Sequence, residues 1–277
     1  MKRWNILVLG IVGLLAILFI LARHNFTATK ATEKERAEAT VDGERTPVLV
    51  ELFTSEGCSS CPPADEVLAR LEREQPVRGA QIIVLSQHVD YWNDLGWADP
   101  YSSADFSARQ NGYAEAFQRD GVYTPQMVVD GCTEFVGSNW EKAREAILSA
   151  EKTRKAAVQI SRGEEQGASL PLNIRVENLP PVSAGDTAEV LLALTESDLH
   201  SSVARGENAG RSLSHTAVVR QLNVLGSLEA QSAKPFIASP TINLASEWKR
   251  QNLHAVAFVQ ERASRRILGA ASVDLAK

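Results

Sequence analysis

The sequence predicts an α/β domain built on a mixed four-stranded sheet with helices. An antiparallel β-sandwich follows it, and a membrane helix precedes it. Three observations carry this. An uncharged apolar run opens the chain, from Trp4 to Ala22. From Pro47 onward, short apolar runs alternate with stretches of helical period. After Val158 the pattern changes to seven short runs divided by turn residues, with no long helical stretch. The predicted division is a signal-anchor helix over 1–22, a flexible tether over 23–46, the α/β domain over 47–157 and the sandwich over 158–277.

The opening run is 19 residues long and follows Lys2 and Arg3. At about 1.5 Å per residue it spans roughly 28 Å, close to the hydrocarbon thickness of a bilayer. The two basic residues keep the N-terminus inside, so the remainder is exported. This suits a single-pass membrane protein whose folded part is exported. A cleaved signal peptide is the alternative, although no small-residue cleavage site follows Ala22. The tether is rich in Ala, Thr, Glu and Lys and holds no large apolar cluster. Of the 277 residues, 44% are hydrophobic and 23% charged, and the net charge is −5. A packed core is expected, and a nucleic-acid partner is not, because no basic stripe stands out.

Within 47–157 the elements follow in order. "VLVELF" is an apolar strand interrupted only by Glu51. "ADEVLARLERE" puts Ala64, Leu68 and Leu71 on one helix face. "AQIIVLSQHV" is a second strand, so strand, helix and strand suggest a parallel pair with a crossover. "DYWNDLGWADPYSS" is a loop, and Phe106, Tyr113 and Phe117 mark the next helix, stopped by Gly121. Two apolar runs flank Asp130-Gly131, a strong hairpin signal. Ser138 and Glu141 form a capping box for a last helix, whose inner face carries Trp140, Ala143, Ile147 and Ala150.

The pair Cys58 and Cys61, set between first strand and helix, together with this element order and with Thr124-Pro125 before the third strand, resembles the thioredoxin fold. That resemblance implies a cis Pro125 facing the cysteine pair. Four stretches, "VELFTSEGCSSCPPAD", "HVDYWNDLGWADP", "YTPQMVVDG" and "RGENAGRSLSHTAVVR", are similar to the signature segments of the DUF1223 family of exported bacterial proteins. The resemblance covers roughly residues 47–275. It implies a thioredoxin-like domain and leaves the activity open. Cys132 departs from the family's pattern.

Three cysteines are too few for a disulfide scaffold or a four-cysteine zinc site. A thiolate attacks a disulfide, and a helix N-terminus favours the thiolate. Cys58 is therefore the expected nucleophile and Cys61 the resolving thiol. The helix is expected from Ser59; a start at Pro62 would instead make Cys61 its cap. Ser59 and Ser60 are candidate donors to the thiolate, or plain turn residues. The expected function is thiol–disulfide exchange on exported protein clients or a redox partner protein, with no cofactor. A binding or assembly module with a structural 58–61 bridge is one alternative. Copper or zinc handling by Cys58, Cys61 and His88, completed by Asp90, is another. Trp92 and Trp97 form a cover or docking surface near the cysteines, or a locally packed loop. Cys132 is expected to be an unpaired, partly buried thiol. Arg205, Glu207, Asn208, Arg211 and His215 either bind the first domain or a partner, or satisfy one another, with Gly206 and Gly210 permitting an irregular loop.

Overall fold

The computed structural model describes residues 45–228 and 234–276. The first part of the chain forms β1 (Thr46–Thr54), α1 (Pro62–Glu74), β2 (Ala80–His88), α2 (Ala104–Ala116), β3 (Gln126–Val129), β4 (Thr133–Val136) and α3 (Trp140–Ala150). Then come β5 (Ala157–Arg162), β6 (Ser169–Glu177), β7 (Ala188–Glu196), β8 (Leu199–Ser202), β9 (Ser212–His215) and β10 (Val218–Leu228). The last strands are β11 (Phe236–Ala238), β12 (Thr241–Asn243), β13 (Leu253–Glu261) and β14 (Ile267–Asp274).

Eight strands make one mixed sheet, in the order β14-β13-β7-β10-β2-β1-β3-β4. β1 is parallel to β2 along its whole length and antiparallel to β3. The join lies at β10, which runs parallel to β2 and meets it where Val218 pairs with Ser86. The Ser86 N–H donates to the Ala217 carbonyl at 2.8 Å and fastens this point. Beyond it, β10 pairs antiparallel with β7, and β13 and β14 continue the sheet. A smaller sheet is built on β6, flanked by β5, β11 and β12. β8 and β9 pair with each other as a separate hairpin.

Strand side chains alternate between faces, and the alternation decides what covers each half. Val48, Val50 and Leu52 of β1 meet Leu68 and Leu71 of α1 and Ile147 of α3. Leu170, Leu172, Ile174 and Val176 of β6 meet Val190, Leu192 and Leu194 of β7, so the small sheet layers on the C-terminal strands. A third cluster joins Leu49, Leu85, Leu191, Val256 and Phe258 to Phe106 of α2. Its members come from both parts of the chain.

This overturns the expected fold. Instead of a self-standing thioredoxin-like α/β domain with its own four-stranded sheet and a separate sandwich, residues 45–277 form one compact unit. Strands take up about 42% of the described residues and helices 19%, so the whole is mostly β. The physical reason is the edge of β2. A separate domain would leave that edge unpaired, and β10 occupies part of it. Periodicity tells which residues face a core but not which strand lies alongside. The expected membrane helix over 1–22 and most of the tether lie outside the described residues. Among those described, no helix is long and apolar enough to cross a membrane, and the structure lends the anchor no support. Thr46, placed in the tether, is already the first residue of β1. The cap of α3 is also corrected: Asn139, not Ser138, accepts from the Lys142 N–H at 3.0 Å.

Candidate functional site

Cys58 and Cys61 form a disulfide, with their Cα atoms 5.4 Å apart, at the turn between β1 and α1. Both residues are wholly buried. The Cys58 N–H bonds the Ser55 carbonyl and the Cys61 N–H bonds the Cys58 carbonyl, each at 3.2 Å. α1 starts at Pro62 rather than Ser59, and Cys61 caps it without a side-chain bond. Prolines fit at the first two helical positions because N–H groups there have no intrahelical partner. Asp65 N–H donates to the Cys61 carbonyl at 3.1 Å, so these two residues are one helical turn apart. Ser60 Oγ lies 3.3 Å from Cys58 Sγ, while Ser59 and Ser60 are exposed.

Buried ionisable groups line the strand ends that carry this turn. Glu56, two residues before Cys58, is satisfied at every polar group of its backbone and carboxylate. Its N–H donates to Asp99 Oδ2 at 2.8 Å, Trp97 Nε1–H donates to Oε2 at 2.7 Å, and His215 Nε2 lies 3.0 Å from Oε1. Its carbonyl accepts from Asn208 Nδ2 at 2.8 Å. Asp99 Oδ2 is also 2.7 Å from His88 Nδ1. The two imidazoles meet edge to face, with centroids 4.8 Å apart. The second nitrogens, His88 Nε2 and His215 Nδ1, are buried and unpartnered. Burial pushes the Glu56 and Asp99 carboxyls up, yet the hydrogen bonds of Glu56 with His215 and Trp97, and the His88 imidazole beside Asp99, outweigh it and leave both below the usual range. Asp65 goes the other way. Its Oδ1 is shut from solvent without a partner. Burial, and then the carboxylates of Asp99 and Glu56, push it up to about 7 against the opposing pull of His215.

A chain match decides the family. The model described as protein of unknown function (DUF1223) matches residues 49–260. The chain belongs to the DUF1223 family. No curated protein matches it. Among solved structures, it is similar to protein AGR_C_4864 from Agrobacterium tumefaciens, at 26% identity and a TM-score of 0.62, over 83% of this chain and 95% of that one. It is also similar in fold to HBP35 of Porphyromonas gingivalis, at 15% identity and a TM-score of 0.57, over 83% of this chain and 76% of that one.

In this DUF1223 protein the other expected site residues divide into two groups. Trp92 and Trp97 come to the cysteine turn. A Cβ placed on Gly57 would lie 3.1 Å from Trp92 Cβ, and Trp92 Nε1–H donates to Thr124 Oγ1 at 2.8 Å. Trp92 thus spans from the residue before Cys58 to the residue before Pro125. The Thr124–Pro125 bond is cis. The loop of Arg205 to Arg211 also comes in. Asn208 Nδ2 donates to the Cys58 carbonyl at 2.9 Å, and Glu207 Oε2 accepts from the Ser59 N–H at 3.0 Å.

The metal grouping does not form. The cysteines are bonded to each other, His88 Nδ1 is turned to Asp99, and Asp90 accepts from Ser107 Oγ. Among the described residues no three His, Cys, Asp or Glu side chains are grouped to hold a metal ion. Cys132, expected to be partly buried, is a free, exposed thiol at the end of the β3–β4 turn; partial desolvation of its sulfur and then the nearby Asp130 raise it above the usual thiol range. Sequence reasoning missed Glu56, Asp65 and Asp99. The one signal available was the spacing of Asp65, four residues after Cys61, which places them on the same side of α1.

Proposed function

We propose that this protein exchanges disulfides through Cys58 and Cys61 with exported protein clients, in an oxidising compartment where the bridge persists. The observation that carries this is the placement of so short a disulfide ring beside a set of buried ionisable groups. As a staple the bridge is weak: a four-residue ring restrains the unfolded chain by about 2 kcal/mol, against about 3 for fifteen residues. The turn it closes is already held by Asn208, Asp99 and Glu207. Burying Glu56, Asp99, His88 and His215 around a merely structural bridge would serve no evident purpose, since such groups are costly to desolvate.

In the reducing direction the Cys58 thiolate attacks a client disulfide. One client sulfur leaves as a thiolate and a mixed disulfide forms. Cys61 then attacks the Cys58 sulfur, the second client thiolate leaves, and the 58–61 bond re-forms. Two electrons pass to the client, and protons lost by the two cysteines go to the two client thiolates. Ser60 Oγ is within reach of the Cys58 sulfur and can donate to its thiolate. Because α1 starts at Pro62, Cys58 lies in the turn before the cap, and the helix dipole favours its thiolate less than a start at Ser59 would.

Cys61→Ala should trap client adducts visible on non-reducing electrophoresis, and Cys58→Ala should abolish them. The 58–61 couple should have a reduction potential above roughly −280 mV. Adducts with neither variant would sink the exchange reading. A second reading, a static bridge in a binding or assembly module, draws on the complete burial of both cysteines. It requires a potential below about −300 mV.

A further inference from the structure

The β8–β9 hairpin belongs to neither larger sheet; among the described residues its strands pair only with each other. A lone two-stranded hairpin is marginal in water, so its position depends on what fastens it. The fastenings run from its root to its tip, with Ser201 of β8 also bonding the Glu56 carboxylate and Gly206 lying against Trp97. At the root, His215 bonds Glu56. At the tip, Asn208 is wholly buried and donates both to the Glu56 carbonyl and to the Cys58 carbonyl, while Glu207 accepts from the Ser59 N–H. The tip is closed on itself by Gly210 N–H to Val203 O at 2.8 Å and Val203 N–H to Arg211 O at 3.0 Å. Gly206 and Gly210 turn it with φ of 78° and 81°, where a side chain would be strained. Both cysteines of the turn it engages are closed to solvent.

The groups that the tip engages on the cysteine turn are main-chain ones: carbonyls of residues 56 and 58 and the N–H of residue 59. The two carbonyls flank Gly57 and the N–H follows Cys58, all on one turn, and they are backbone groups of the kind that a client's main chain pairs with. We propose that the β8–β9 hairpin is a cover that occupies, in cis, the place where an extended client segment pairs with the cysteine turn, and that Asn208 is its latch. This rests on the exchange reading above. With the hairpin down, neither sulfur is accessible. With it lifted, the Glu56 carbonyl, the Ser59 N–H and the second lone pair of the Cys58 carbonyl, whose other partner is the Cys61 N–H, are open to the client's backbone, and its cysteine comes against Cys58. Local stability supports the division of labour: a hairpin outside the sheets opens at lower cost than the strands beneath it.

The test uses the full chain in two arms. Reduction of the folded, oxidised protein by excess dithiothreitol, read by alkylation and mass, measures access to the bridge; the reagent gives up two electrons and two protons and closes to its own disulfide. Asn208→Ala should speed this about tenfold or more, the weight of two ordinary hydrogen bonds. An unstructured peptide carrying two reduced cysteines, oxidised by the protein to its own disulfide, measures exchange and should gain by a similar factor. In the wild type, the amides of Val203 and Gly210 should exchange hydrogen at least a hundredfold faster than those of β7. Equal reduction rates for wild type and a folded Asn208→Ala overturn the cover. If that variant does not fold, the wild-type amides decide, and protection equal to β7 overturns it. Faster reduction by dithiothreitol with no oxidation of the peptide by either protein overturns the exchange reading and the client's place with it, while the cover itself stands.

Discussion

Two buried carboxyls show how one residue type takes opposite roles. Glu51 interrupts the apolar run of β1 and is 1% exposed. Burial alone would raise it, but Arg109, at 2.7 and 2.9 Å, with bonds from Tyr113 and Gln87, holds it below the usual range. Asp65 has no such cation and is raised to about 7. The sign of its effect on stability follows. Between about pH 4 and 7 the folded protein keeps a proton that the unfolded chain has released, so stability falls as pH rises through that window and is level above it. Asp65→Asn should remove this slope. Urea unfolding at pH 4.5 and pH 8 should find the variant gaining on wild type as pH rises, with the full gain above pH 7. A difference between the two proteins that stays constant with pH would show that Asp65 does not titrate in this window.

At the scale of elements, turns from distant parts of the chain are locked together. The β3–β4 turn has Asp130 and Gly131 at φ of 53° and 66°, as the Asp-Gly pair predicted. Its back is pressed against the β13–β14 turn: Asp130 O accepts from the Ile267 N–H at 2.8 Å, and Asp130 also pairs with Lys155 at 2.5 Å. A Cβ on Gly131 would fall 1.8 Å from the Arg265 carbonyl oxygen. Gly131→Ala should therefore cost on the order of 2–4 kcal/mol, through strain at positive φ and displacement of the second turn. Denaturant unfolding measures this, and a loss under about 1 kcal/mol would show that the two turns are not in firm contact. The same element scale explains the site. The loop of Trp92 and Trp97 and the β8–β9 hairpin meet each other at Trp97 and Gly206 and both reach one short turn, and neither is near it in sequence.

Across the whole molecule, the cluster of Leu49, Leu85, Phe106, Leu191, Val256 and Phe258 has no counterpart in either part of the chain alone. The sheet that carries it is continuous from β14 to β4. A fragment of residues 45–157 would expose one face of β1 and β2 and free the edge of β2 that meets β10. It should not fold cooperatively. Residues 45–277 should unfold in one transition. Circular dichroism and thermal melting of both test this, and a fragment with a sharp transition of its own would show that the first part is an independent folding unit.

The sequence by itself determined the local structure where one segment contains its own cause. The apolar runs became β1, β2, β6, β7 and β13. The helical period of Ala64, Leu68 and Leu71 became α1, and Asp130-Gly131 became a turn. It also marked the cysteine turn, because two cysteines at that spacing between strand and helix stand out in any surroundings. Pairing was decided only by tertiary structure. Whether β10 lies against β2 depends on which edge is free after collapse, and both strands would look the same in a separate domain. The polar stretch from Ser201 to His215 carries no apolar period, so nothing in the sequence marks β8 and β9 as a paired hairpin. Their residues gain meaning only from Glu56 and the Cys58 turn, about 150 positions away. Burial of Asp65, Glu56 and Asp99 was illegible for the same reason: a carboxyl's environment is made by what folds over it.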